Sequence, residues 1–149
     1  MVDHVFVYGT LKRGQCRETL WPLAPKMIQP AWVRGALYDL GPYPAMVAGN
    51  DRILGELWSF ASSDMESVLV TLDKIEGTNQ PNETDEYLRI RLNASLVGNQ
   101  CRESLNAWCY CYARSDLLNV GQRLSISPAE MGTKFVCWPI EVCRQFVGA

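Results

Sequence analysis

Short apolar runs with strand-like composition recur along this chain, and glycine or proline cuts each of the early ones off within a few residues. Val5-Phe6-Val7-Tyr8 runs into Gly9-Thr10. Residues 33–38 and 53–60 are separated by Gly41-Pro42-Tyr43-Pro44 and by Gly49-Asn50-Asp51. The two prolines keep the first of these connections stiff and out of a sheet interior. Leu88, Ile90 and Leu92 alternate with Arg89, Arg91 and Asn93, the pattern of a strand with one wet face, and the aromatic run at 108–112 makes a fifth strand. One segment carries a clear helical signal. Ser63-Asp64-Met65-Glu66 fits a capping box, Met65, Val68, Leu69, Leu72 and Ile75 form a single apolar stripe, and Gly77 stops it. Further along, Ser127-Pro128-Ala129-Glu130 resembles a helix start that Gly132 soon interrupts, and residues 139–146 read as a last helical turn or two. Five short strands with little helix between them predict an α+β chain: a small, mostly antiparallel five-stranded β-barrel with helices packed outside, not a doubly wound sheet.

With 149 residues and no repeat or linker, the chain is expected to fold as a single domain over residues 1–149. Its 14 Lys and Arg against 16 Asp and Glu give a net charge of -2, which leaves no basic excess for a phosphate backbone, so nucleic acid is not an expected partner. The longest uncharged run, residues 40–50, is far short of the roughly 18 apolar residues of a membrane-spanning helix, so no membrane is expected either. Met1-Val2-Asp3-His4 passes straight into a strand-like run without the features of a secretory signal, which points to a soluble protein of the reducing cytoplasm. The six cysteines, Cys16, Cys101, Cys109, Cys111, Cys137 and Cys143, are scattered, and a domain this size does not need stapling, so reduced thiols are expected. The Cys109-x-Cys111 spacing turns both thiols to one strand face and Trp108, Tyr110 and Tyr112 to the other, which suits buried strand cysteines better than zinc ligands.

His4 is the only histidine, so a histidine-dependent triad, dyad or metal site would have to include it; its position at a strand entrance reads as structural. Gly9-Thr10-Leu11-Lys12-Arg13-Gly14-Gln15 superficially resembles a phosphate loop, but the second glycine comes a position early and Gln15 stands in place of the required Lys-Ser/Thr pair. What remains is a strand entering a glycine turn whose free N–H groups can hold a carboxylate or a developing oxyanion. Glu76 lies at the end of the expected helix, where the macrodipole disfavours a carboxylate, and burial there would raise its pKa toward that of a usable general base. Glu56, in mid-strand, reads as solvent-facing, and the loop acids Glu83, Asp85 and Glu86 as solvated.

Four groups of residues taken together resemble the gamma-glutamylcyclotransferase-like family, which includes gamma-glutamylamine cyclotransferases and AIG2-like and BtrG-like proteins. They are Val5-Phe6-Val7-Tyr8-Gly9-Thr10-Leu11-Lys12-Arg13-Gly14, Gly35-Ala36-Leu37-Tyr38-Asp39-Leu40-Gly41-Pro42-Tyr43-Pro44-Ala45, Gly55-Glu56-Leu57-Trp58, and Leu72-Asp73-Lys74-Ile75-Glu76-Gly77 with Tyr87-Leu88-Arg89. The resemblance implies a five-stranded barrel flanked by helices, with a small cavity where the turn at residues 8–11 faces Glu76. It also implies an enzyme that takes a small gamma-glutamyl amine, amino acid or peptide and releases 5-oxoproline and the free amine, with no metal or cofactor. Carried over residue by residue, Tyr8, Gly9, Thr10 and Leu11 would surround the glutamyl alpha-carboxylate and the reacting carbonyl, Glu76 would move the proton, and Tyr43 and Tyr87 would shape the cavity. Two departures stand out. Many relatives carry an Asn-His pair where this chain has Cys16-Arg17-Glu18, and residues 78–86 make a longer polar loop; both bear on the leaving-group side.

Two function classes follow. In the first, the substrate's own alpha-amine attacks its gamma-carbonyl, a five-membered ring closure in which the protein folds the substrate and manages charge. In the second, the same cavity serves a binding module for a small metabolite. Glu76 discriminates, since a pure binder has no use for a carboxylate there. Thiol chemistry at Cys16 lacks a nearby histidine partner. The amine half of the substrate and the oligomeric state are not legible in the sequence.

Overall fold

The computed structural model describes residues 1–98, 104–125 and 135–139. The helix start expected at 127–130, and the expected last turns beyond residue 139, lie outside the described residues. The elements are β1 (Val2–Val7), β2 (Met27–Asp39), β3 (Pro44–Ala61), α1 (Met65–Glu76), β4 (Tyr87–Leu96) and β5 (Ser104–Tyr112), with short 3-10 turns between some of them. The five strands close into a barrel in the order β1-β3-β2-β4-β5. All pairs are antiparallel except β1 with β5, which run parallel where Val5 faces Trp108. The expected α+β barrel is therefore present, with one α-helix among the described residues.

Strand alternation sorts the apolar residues into two cores. Phe6 points into the barrel with Leu37, Met46, Ile53, Leu57 and Cys109. Its neighbours Val5 and Val7 point outward, where Met65, Val68, Leu69 and Leu72 of α1 cover them. Ile75 completes the stripe but is only half-buried. Burying the four inner α1 side chains contributes about 1.5–3 kcal/mol each, which is what holds so short a helix against the barrel.

Several local expectations are corrected. The two strand candidates at 33–38 and 53–60 belong to longer strands, because Gly49-Asn50-Asp51 is not a turn between strands but part of β3 at a register shift opposite Gly35 and Ala36. A Cβ on Gly49 would sit 2.7 Å from the Gly35 carbonyl carbon, so the bulge packs only with glycine there. The capping box does not form: a 3-10 turn at Ser62–Asp64 leads into α1, and the Asp64 side chain makes no cap hydrogen bond. On β4 the apolar face is the wetter one near its start. Leu88 and Ile90 are 46% and 37% exposed, because β4 pairs with β2 only near its far end, at Leu96 and Ser95.

Cys16, Cys109 and Cys111 are free thiols, but Cys137 is disulfide-bonded, which corrects the expectation that every thiol is reduced. The size of the domain bears only on whether a staple is needed. A bridge forms wherever the fold brings two thiols into bonding geometry under oxidising conditions. No helix among the described residues is long and apolar enough to cross a membrane.

Candidate active site

The helix α1 ends in a Schellman motif. Gly77 adopts left-handed geometry (φ 63°), its N–H donates to the Lys74 carbonyl at 3.4 Å, and the Thr78 N–H donates to the Asp73 carbonyl at 2.9 Å. This stop fixes Glu76 as the last helical residue. Asp73, one turn earlier, accepts a 2.6 Å hydrogen bond from the Tyr110 hydroxyl and pairs with Arg89 at 3.2 Å, which clamps the helix end to β4 and β5. The Thr78 hydroxyl adds a 2.6 Å bond to the Tyr87 carbonyl.

The β1 strand delivers the opposite wall. After Val7 the chain turns through Tyr8, Gly9, Thr10 and Leu11. The turn is held by Lys12 N–H to the Gly9 carbonyl (3.1 Å) and Arg17 N–H to the Thr10 carbonyl (2.8 Å). Among the described residues, the N–H groups of Gly9, Thr10 and Leu11 donate to no protein acceptor. Gly9 is required by close approach, since a Cβ there would lie 2.8 Å from the Pro44 ring. Pro44 is itself held by the Tyr87 hydroxyl, which donates to its carbonyl at 2.8 Å. The Tyr8 hydroxyl reaches across the barrel to the Tyr110 carbonyl at 2.5 Å.

These walls enclose about 540 Å³ of non-protein space, part of it open to solvent, lined by Tyr8, Gly9, Thr10, Leu11, Tyr43, Glu76 and Tyr87 together with Phe6, Val7, Arg17, Pro44, Ile75, Glu86 and Tyr110. All seven residues singled out from the sequence thus meet at one cavity. Burial pushes the Glu76 carboxyl up to about 7; Arg17 pulls it down and Glu86 pushes it up, both by less than burial does. Glu76 is half-buried and lines the cavity. The Tyr43 hydroxyl donates to Glu86 at 2.7 Å, and that bond, with burial second, raises the phenol to about 12. Tyr87 is raised too, chiefly by burial. Tyr43 and Tyr87 meet edge to face with ring centres 6.4 Å apart.

The reading of the mid-strand acid is corrected, and one of the loop acids gains a place at the cavity. Glu86 lines the cavity, although it is exposed, because the chain returns to the helix end there: its N–H donates to the Gly77 carbonyl at 3.3 Å. Glu56 is not simply solvated; it accepts from the Arg13 N–H and Nε at 2.8 Å each and from the Trp58 Nε1 at 3.2 Å, so it pins the end of the turn. Pro44, Ile75 and Tyr110 were not legible as cavity residues, since their neighbours come from distant strands. Arg17 stood out in the sequence only as a departure.

The remaining candidates lie elsewhere. The His4 Nδ1 shares a 2.8 Å hydrogen bond with Ser59, and burial lowers its pKa. Lys12 is buried outside the cavity and donates to the Trp138 carbonyl at 2.5 Å. Cys109 and Cys111 share the inner strand face, as the alternation predicts. Among the described residues no group of three or more His, Cys, Asp and Glu side chains could hold a metal ion.

The family described as gamma-glutamyl cyclotransferase, AIG2-like, matches residues 5–129. Similar curated proteins include the gamma-L-glutamyl-butirosin B gamma-glutamyl cyclotransferase of Niallia circulans, 28% identical over 78% of this chain and 71% of its own. The gamma-glutamylaminecyclotransferase of Bos taurus is 33% identical over 63% of this chain and 57% of its own. The crystal structure of an AIG2-like protein from Mus musculus has the same fold, with a TM-score of 0.58 at 22% identity over 75% of this chain and 78% of that one. With a family match over most of its length, and with the Tyr8 turn and the Glu76 helix end meeting at one cavity, the chain belongs to the AIG2-like gamma-glutamyl cyclotransferase family.

Proposed function

We propose that this protein is a gamma-glutamyl cyclotransferase that releases 5-oxoproline and a free amine from a small gamma-glutamyl compound, with Glu76 as general base and acid. The observation that carries the reading is one cavity lined both by a carboxyl group raised to about 7 and by the turn at Gly9, Thr10 and Leu11, whose three N–H donors have no partner among the described residues.

The chemistry is an internal acyl transfer. The substrate's alpha-nitrogen forms a bond to its own gamma-carbonyl carbon, and the bond from that carbon to the departing amine breaks. An alpha-ammonium cannot attack until it loses a proton. An alpha-amine of pKa about 7.7–8.0 facing an ordinary Glu of about 4.3 leaves a mismatch of roughly 3.5 units, or about 5 kcal/mol. With Glu76 at about 7 the mismatch shrinks to roughly one unit, about 1.4 kcal/mol. The carboxylate takes the ammonium proton and then protonates the leaving nitrogen as the second bond breaks; the second proton that the alpha-nitrogen sheds on becoming the lactam N–H returns to Glu76 and passes from there to the freed amine or to water. In this reading the turn donors receive the alpha-carboxylate or the developing oxyanion, and Tyr43 and Tyr87 keep the chain of the substrate curled toward ring closure. Every proton in the scheme is handled by Glu76, the substrate or water, so no metal or cofactor is invoked.

The test is a panel of gamma-glutamyl amines, amino acids and peptides, with 5-oxoproline release followed by chromatography. The wild type should turn over at least one, with kcat/KM rising through about pH 7 as Glu76 ionises. Glu76→Gln should lower release by about 100-fold or more while 5-oxoproline still binds. Near-normal turnover in folded Glu76→Gln would remove the base assignment. If the wild type turned over no member of the panel yet bound one, the cavity would be that of a binding module.

A further inference from the structure

Arg17 is a cation on the cavity wall with no carboxylate within 4 Å among the described residues. It is only partly exposed, and the hydrogen bond from its Nη1 to the Ile75 carbonyl is long, at 3.4 Å. A guanidinium partly withdrawn from water with four or more donor hydrogens unengaged is an anion receptor awaiting an anion. Its position is fixed from both sides, because its backbone N–H is tied to Thr10 in the turn and its head group lies against the last turn of α1.

On the gamma-glutamyl reading, the acyl half of the substrate already has its partners: the turn donors at residues 9–11 and Glu76. The charged residues of the lining that this leaves are Arg17 and Glu86, and the Glu86 carboxylate already accepts the Tyr43 hydroxyl. Glu86 is exposed, so water screens it; Arg17 is the less screened charge and has no ionic partner among the described residues. We infer that Arg17 is a specificity residue that receives a carboxylate on the departing amine, so that gamma-glutamyl amino acids are preferred over gamma-glutamyl amines lacking that carboxylate. The inference rests on the gamma-glutamyl reading and deepens it.

Gamma-glutamylglycine and gamma-glutamylglycinamide differ only in that carboxylate, and both use the same base, so the ratio of their kcat/KM values cancels any change Arg17 makes to Glu76. The wild type should favour the glycine compound by about tenfold or more, the scale of one charge-assisted hydrogen bond in a partly dry site. Arg17→Gln should bring the ratio to about one, chiefly by slowing the glycine compound. Should that variant fail to fold, Arg17→Lys carries the test, since it keeps the charge but loses the planar fork, and the ratio should fall without vanishing. A wild-type ratio near one overturns the inference and leaves the cyclotransferase reading standing. So does an undiminished ratio in either variant, including the case where both substrates slow alike, which would assign Arg17 to the acyl half. Release of 5-oxoproline from neither substrate nor any other gamma-glutamyl compound overturns both readings.

Discussion

Glu76 is held where a carboxylate is least comfortable, at the negative end of a helix and in a partly dry cavity, and that placement should cost stability in a way that can be measured. Its folded pKa, about 7, stands above the ordinary value of 4.5. A raised acid binds its proton more tightly folded than unfolded. Its contribution is therefore fully present below pH 4.5 and is lost as pH rises through about 7. Glu76→Gln stays neutral throughout, so it should match the wild type near pH 4.5 and be more stable above pH 7.5, by about 1–3 kcal/mol once contact with cavity water is discounted. Urea midpoints at the two pH values check this. Equal midpoints at pH 7.5 would show that the carboxylate is solvated well enough to ionise freely, and the general-base argument would lose its basis. With Glu76 in the proposed role, stability and turnover would pull this one residue in opposite directions, as expected of a functional group placed against local preference.

At the scale of elements, the helix end matters more than the helix. Gly77 has a φ of 63° with room around it for a Cβ, its nearest neighbour being the Glu86 Cβ at 3.8 Å, so the demand for glycine there is conformational. Gly77→Ala should cost about 1–2 kcal/mol in unfolding free energy, and Gly77→Asn clearly less, because Asn tolerates the left-handed region. A urea series on the two variants decides it; an alanine variant as stable as the wild type would mean that the helix end can be rebuilt without the left-handed stop. The stripe at Met65, Val68, Leu69 and Leu72 and the Gly77 stop were legible because helical period and left-handed glycine are local properties. The capping box was not, since the chain satisfies the first helical turn with a 3-10 turn instead of the expected side chain. The five strands were located from their apolar runs, although their bounds differ from the residues read, and the bulge at residues 48–50 looked like a turn, because a glycine that lets one strand approach another has the same local composition as one that reverses the chain. Likewise Glu86 is exposed, as read, but nothing local says that its loop returns to the helix end.

Over the whole molecule, the strap at residues 135–139 joins the turn to the barrel core in a way no sequence pattern announces. Val136 exchanges backbone hydrogen bonds with Arg52 and Leu54, each 2.8 Å long. Trp138 donates its indole N–H to Asp39 at 3.1 Å, and its carbonyl receives Lys12. Lys12 follows directly from the turn at residues 8–11, so its buried ammonium links the cavity wall to the strap. That link should write itself into the pH dependence of stability. Burial lowers Lys12 from 10.5 to about 8, with Glu56 opposing. Between those values the unfolded chain holds a proton that the folded one has released, so stability should rise as pH climbs from about 8 toward 10. Above about 10 the trend should reverse, since Tyr43, Tyr87 and Tyr110 are all raised from 10.0 and keep protons that their unfolded counterparts lose. Urea midpoints from pH 7.5 to 9.5 should therefore increase in the wild type, by up to about 2 kcal/mol equivalent over that span, and be flat or falling in Lys12→Met. The slope is the readout, so a uniform change in stability from the substitution does not confuse it. A Lys12→Met slope equal to that of the wild type would mean that the lysine keeps its charge in the folded protein up to its ordinary pKa, with the strap carbonyl and Glu56 together offsetting its burial.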